Sequence, residues 1–155
     1  MAIFSSGKFG ADTGSSALSR GRIEAALKSK QWAYQVDKDG DVGGYWSGHL
    51  FYFFVTGEKN EILHIQGRWK ESLDVERRLE VRQAIDEWHR DKFWPKAYTR
   101  VNDSGELQVY AELAVDFEPG VTDDLLAQTI LCALVTSLRL FEHLAEHFGL
   151  PPSDD

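Results

Sequence analysis

Apolar side chains recur along this chain with two different periods. Between Arg20 and Lys30, Ile23, Ala26 and Leu27 fall at i, i+3 and i+4, the one-sided stripe of a helix, and Ser19 is placed to cap it. From Gln31 to Val36 the period becomes two, with Trp32, Tyr34 and Val36 on one side of a strand. Asp37 to Gly44 is a cluster of turn residues. Gly48 to Thr56 is aromatic and β-branched, Gly57 to Asn60 breaks it, and Glu61 to Trp69 alternates again. Leu63, Ile65 and Trp69 share one face of that segment, and His64, Gln66 and Arg68 the other. The pair predicts an antiparallel hairpin.

The helical period returns after Asp74, a plausible N-cap, and runs to about Lys92 with Val75, Leu79, Arg82, Ile85, Trp88 and His89 down one side; Pro95 ends it. A second hairpin follows, Lys96 to Val101 and Leu107 to Phe117 around the turn Asn102–Gly105. Thr122 caps a last helix, Asp123 and Asp124 suit its positive end, and Gly149 and Pro151 close it. That helix spans about 26 residues, roughly 39 Å, with Ile130, Leu131, Leu134, Leu138, Phe141, Ala145 and Phe148 as its stripe. The predicted class is α+β, a five-stranded antiparallel sheet with three helices in the order α-β-β-β-α-β-β-α, helices on one face. Residues 19–150 form one domain in this reading, and 1–18 and 151–155 are flexible tails.

Composition narrows the function classes. The chain has 155 residues, 43% of them hydrophobic and 27% charged, the usage of an ordinary globular domain. Its single cysteine, Cys132, can close no internal disulfide and has no partner for a zinc site, which fits a reducing cytoplasm. Set in the apolar middle of the last helix, Cys132 is expected to be a buried, slowly reacting thiol. The first ten residues carry one cation and no long apolar run, so no secretory signal is expected, and no membrane span either. The net charge is −8, and the stretch from Glu118 onward holds seven acids and one base, which disfavours nucleic acid as a partner.

Catalytic and metal motifs fail on inspection. His143-Leu-Ala-Glu-His147 has the H-x-x-E-H spacing of a zinc protease, yet a third ligand is wanting and both histidines lie off the apolar stripe. Asp37-Lys-Asp-Gly-Asp41 echoes a calcium loop, but the sixth and twelfth positions hold Val42 and Gly48 where glycine and glutamate belong. No glycine-rich phosphate loop leads into a helix. No catalytic, cofactor or metal residue is therefore assigned.

One strand stands out. Leu50, Tyr52 and Phe54 point one way and Phe51, Phe53 and Val55 the other, so the strand lacks the polar side expected of a sheet with one wet face. Either helices cover both faces or a partner covers one. Phe51, Phe53 and Val55 are the candidate partner interface, and a two-fold homodimer is the simplest way to cover them.

The segments Trp32–Asp37, Gly48–Glu58, Gly67–Trp69, Glu87–Trp88, Trp94–Val101, Tyr110–Glu112 and Gly120–Asp123, in that order, resemble the YbjN-domain proteins of actinobacteria. The resemblance covers about residues 18 to 148. It implies a fold similar to the type III secretion chaperones, small acidic proteins, usually dimeric, that hold an extended segment of a partner. It implies a role as a sensory transduction regulator and brings no catalytic residues. The expected function is a non-enzymatic protein-binding or regulatory module. The alternatives are a small-molecule sensor with a pocket between sheet and helices, and a hydrolase built on His143 and His147.

Overall fold

The computed structural model describes residues 14–152; of the expected tails, 1–18 and 151–155, residues 1–13 and 153–155 lie outside them. Among the described residues three helices, α1 (Arg20–Ser29), α2 (Arg78–Asp91) and α3 (Asp123–His147), accompany six strands. The strands are β1 (Gln35–Val36), β2 (Val42–Trp46), β3 (His49–Thr56), β4 (Ile62–Asp74), β5 (Lys96–Val101) and β6 (Glu106–Asp116). They form one sheet in the order β1-β2-β3-β4-β6-β5, with every neighbouring pair antiparallel.

The caps expected at two helices are present. The Ser19 side chain accepts the Arg22 N–H at 3.2 Å, and the Thr122 hydroxyl accepts the Leu125 N–H at 3.1 Å. Asp74 caps differently: it accepts the Glu76 N–H and starts a short 3-10 turn, Val75–Arg77, from which α2 continues. β4 accordingly runs five residues past the expected Trp69. Its register with β6 shifts between Arg68 and Ser72, where an irregularity carries the strand onward.

The expected five strands become six. Asp37 holds a turn by accepting the N–H groups of Asp39 and Asp41, but Val42–Trp46 beyond it is a strand, paired with both β1 and β3. Its glycines are required by packing. A Cβ on Gly44 would lie 2.8–3.0 Å from the Trp46 ring and the Ala33 carbonyl, and one on Gly43 3.0 Å from Tyr52 and the Phe51 carbonyl. The expected strand from Gln31 keeps only Gln35 and Val36. The packed chain also begins before Ser19. Ser16 bridges to Val121, Arg22 donates to the carbonyls of Ser16 and Ala17, and Leu18 is buried.

All three helices lie on one face of the sheet. Between the layers are Phe51, Phe53, Leu63, Ile65, Trp69, Val109 and Ala111 from the strands, and Ile23, Leu27, Val81, Trp88, Ile130, Leu134 and Phe141 from the helices. The α3 stripe is rotated from expectation. Leu126, Ala133, Leu140 and Leu144 are buried, whereas Leu131, Leu138 and Phe148 are half-buried. Leu79 of α2 is 70% exposed because the buried side of that helix is Val81, Ala84, Ile85 and Trp88.

Candidate protein-binding site

Strand β3 decides which face is open. Phe51 and Phe53 have no exposed surface: the Phe51 ring packs over Gly67 and beside Phe141, and both rings meet Trp46 edge-on. Val55, on the same side, is half-buried against the core. The candidate interface Phe51, Phe53 and Val55 is thus corrected to core, because the helices cover that side. The side open to solvent carries Leu50, Tyr52 and Phe54, each half-buried by its neighbours in the sheet.

Register places the rest of this open face. Leu50 lies opposite Arg68 and Tyr45, Tyr52 opposite Gln66, and Phe54 opposite His64. Farther across stand Tyr110, Glu112, Tyr98 and Arg100. Tyr52 and Phe54 stack at 5.4 Å, Tyr98 and Tyr110 at 5.5 Å, and the Arg100 guanidinium covers both of the latter rings. Tyrosine and arginine dominate, and these are the residue types enriched where proteins bind tightly.

Glu112 organises that face. Its carboxylate accepts hydrogen bonds from the Tyr98 hydroxyl and, at 3.0 Å, from Gln66 Nε2, and it pairs with Lys96 at 2.9 Å. His64 Nε2 lies 3.2 Å from the same oxygen, within ion-pair range though not aligned as a hydrogen bond. Burial alone would raise the Glu112 pKa. The bonds from Tyr98, Lys96 and Gln66 outweigh it and hold the carboxyl at about 2. Burial, then the bond to Glu112, pushes Tyr98 up to about 12. The Glu112 carboxylate is engaged on both oxygens, and these bonds fix the side chains around it.

A second surface lies at one end of the sheet. A groove of about 850 Å³ opens between the α2–β5 connection, the last residues of β6 and the first turns of α3. Its rim carries Phe93, 93% exposed, with Trp94 and Leu125, each 51% exposed. Cys132 is half-buried on its wall, which corrects the expected core thiol: Leu125, Gln128, Thr129 and Cys132 share the α3 face turned to the groove.

The other motif residues hold structural positions. His143 packs its ring against Trp88 at 5.6 Å, and His147 faces Glu80 at 3.6 Å. Among the described residues no group of three His, Cys, Asp or Glu side chains could hold a metal ion. Asp41 of the Asp37 loop pairs with Arg20. His49 belongs to no motif in the sequence. It is fully buried, stacks near Phe141, and accepts the Lys70 N–H at 3.0 Å on Nδ1; burial and then the Lys70 charge lower its pKa to about 4.

The model of one protein family, described as "Putative bacterial sensory transduction regulator" and called YbjN, matches residues 19–146. The chain belongs to the YbjN family. The fold of this YbjN chain is similar to that of a solved structure from E. coli, "YbjN, a putative transcription regulator". The TM-score is 0.73 at 8% identity, over 88% of this chain and 97% of that one. It is also similar to an uncharacterized protein from Methanothermobacter thermautotrophicus, with a TM-score of 0.55 at 16% identity, over 85% of this chain and all of that one. No curated protein sequence matches significantly. Among the described residues, α3 alone is long and apolar enough to cross a membrane, and one side of it packs on this sheet.

Proposed function

We propose that this YbjN-family chain is a cytoplasmic, non-enzymatic regulatory module that works by binding another protein, in the manner of the secretion chaperones whose fold the family resemblance implies. The observation that carries the reading is the open sheet face. Tyr45, Leu50, Tyr52, Phe54, Arg68 and Tyr110 line a surface that no helix among the described residues covers, though a strand with one wet face ordinarily alternates apolar with polar residues. The family's regulatory description supports it. A sensor pocket between sheet and helices has less support, because Phe51, Phe53, Trp69 and Phe141 fill that layer.

The test is capture from the native cell lysate on wild-type protein, with Tyr52→Glu and Phe54→Glu proteins as parallel baits. A partner retained in stoichiometric amount by the wild type and lost by both variants, each with an unchanged circular dichroism spectrum, supports the proposal. Identical captured sets on all three baits would remove the sheet face from consideration.

A further inference from the structure

We infer that the groove at the end of β6 is a docking slot for an extended peptide segment of a partner protein, added as one more strand beside Ala114. The inference rests on the protein-binding reading above and concerns a different surface from the open sheet face.

The sheet itself is incomplete at this point. β5 begins at Lys96, opposite Glu112, so β6 continues as Leu113–Asp116 with β4 on one side and, among the described residues, no strand on the other. The direction of the free amides follows from the hairpin. Asn102 N–H donates to the Glu106 carbonyl at 2.9 Å, so Arg100/Gln108, Tyr98/Tyr110 and Lys96/Glu112 are the hydrogen-bonded pairs, and even-numbered residues of β6 turn their backbone groups toward β5. Phe117 N–H donates the other way, to Glu61 at 2.8 Å, in keeping with that alternation. Ala114, the next even position, therefore aims its N–H and C=O past the end of β5 into the groove. Among the described residues no backbone bond reaches Ala114 from the α2–β5 connection.

The walls fit a strand and its side chains. A free donor and acceptor two residues beyond the last pair is what an added strand satisfies, whereas a compact apolar molecule would leave both to water. Alternate side chains of such a segment would meet Leu125 and Cys132 of α3 and Phe93 of the α2–β5 connection. Lys92 stands exposed at the mouth of the groove with no acid within 4.0 Å among the described residues, whereas Lys96 beside it is paired with Glu112 of the same lining, so Lys92 is the cation left for a ligand. The segment that fits is extended, apolar at alternate positions and carries an acidic residue toward Lys92.

The probe is a peptide selected from a random phage-displayed library on the intact chain. It is synthesised plain and N-methylated on either alternate set of backbone amides. The plain peptide should shift the amide resonance of Ala114, slow the labelling of Cys132, and bind at least tenfold more weakly to Leu125→Glu, while Tyr52→Glu binds it as the wild type does. One N-methylated version should lose at least tenfold in affinity. If neither does, or if Tyr52→Glu and not Leu125→Glu loses the peptide, strand addition here is overturned while the wider binding function stands. A library that yields no binder also overturns it. If substituting Ile3→Ser with Phe4→Ser shifts the Ala114 resonance without peptide, the chain's own N-terminal residues fill the slot. If dilution alone shifts it, a second copy does; either result overturns the proposal.

Discussion

At the scale of single residues, the two sides of β3 make opposite predictions for the same change. Phe51→Glu should prevent folding, because an unpaired carboxylate placed between Trp46 and Phe141 costs several kcal/mol. Tyr52→Glu, one residue away on the open face, should leave the far-ultraviolet spectrum and melting temperature close to those of the wild type. A folded Phe51→Glu protein would reverse the assignment of faces. The sequence showed that β3 was apolar on both sides but not which side the helices take. Alternation has no sign: it separates two faces and needs packing partners to orient them. Gly67 held that information in retrospect, since only a residue without a side chain admits the Phe51 ring above it.

Titration at this scale has a defined order. His49 falls from an ordinary 6.5 to about 4 in the folded chain, so its contribution to stability is complete above pH 6.5 and is lost as pH drops toward 4. Glu112 falls from 4.5 to about 2, so its contribution persists to lower pH and disappears between 4.5 and 2. Tyr98 is raised to about 12, so its contribution is whole below pH 10 and is lost as pH climbs to 12. Imidazole resonances followed by NMR should show His49 still neutral at pH 5.5; a midpoint near 6.5 would place it outside the core. Urea titrations of Glu112→Gln should show a loss of stability at pH 7 that shrinks as pH approaches 2. A difference independent of pH would mean that Glu112 acts through its shape alone.

At the scale of elements, capping and periodicity were readable and glycine-dependent packing was not. Ser19 and Thr122 cap where their spacing from the apolar stripes placed them. Strand β2 was missed because Gly43 and Gly44 carry turn propensity, while what makes them fit a strand is the close approach of Tyr52 and the Ala33 carbonyl from outside it and of Trp46 at its own end. The groove was equally hidden. Phe93, Trp94 and Leu125 look unremarkable in the sequence, and only the unequal lengths of β5 and β6 bring them around a gap. The α2 stripe was misjudged at Leu79 because six residues of helix set it about 120° round from Ile85, outside the buried arc of Val81, Ala84, Ile85 and Trp88. Gly67→Ala tests the packing account directly. Its Cβ would lie 2.4 Å from Phe51 Cε1, and Phe51 is enclosed, so the ring cannot swing away. The expected loss is about 1–3 kcal/mol in a urea titration. A loss indistinguishable from zero would show that the layer between sheet and helices yields more easily than its burial suggests.

At the scale of the whole molecule, the open face raises the question of what covers it. Besides the partner protein proposed above, a second copy related by a two-fold axis can occupy the face while that partner is absent and give way to it on binding, because a self-complementary surface needs no second gene product. The face suits this in composition: Tyr45 is 67% exposed at one side, and Leu50, Tyr52 and Phe54 continue inward from it. It also sets a condition. Near a two-fold axis each residue meets its own counterpart or a close neighbour, so Arg68, whose guanidinium has no acidic partner within 4.0 Å among the described residues, must be offset from its twin and near an acid such as Glu112. A lasting dimer would bury on the order of 1,600 Å² in total, about 800 Å² from each copy. Sedimentation equilibrium at micromolar concentration should therefore give twice the 17.6 kDa chain mass for the wild type and a single chain mass for Tyr52→Glu. Arg68→Glu should also dissociate the dimer, and pairing it with Glu112→Arg should restore part of the association if the two charges meet across the axis. A wild type that sediments as one chain would leave the face free for a different protein and would make the capture experiment decisive.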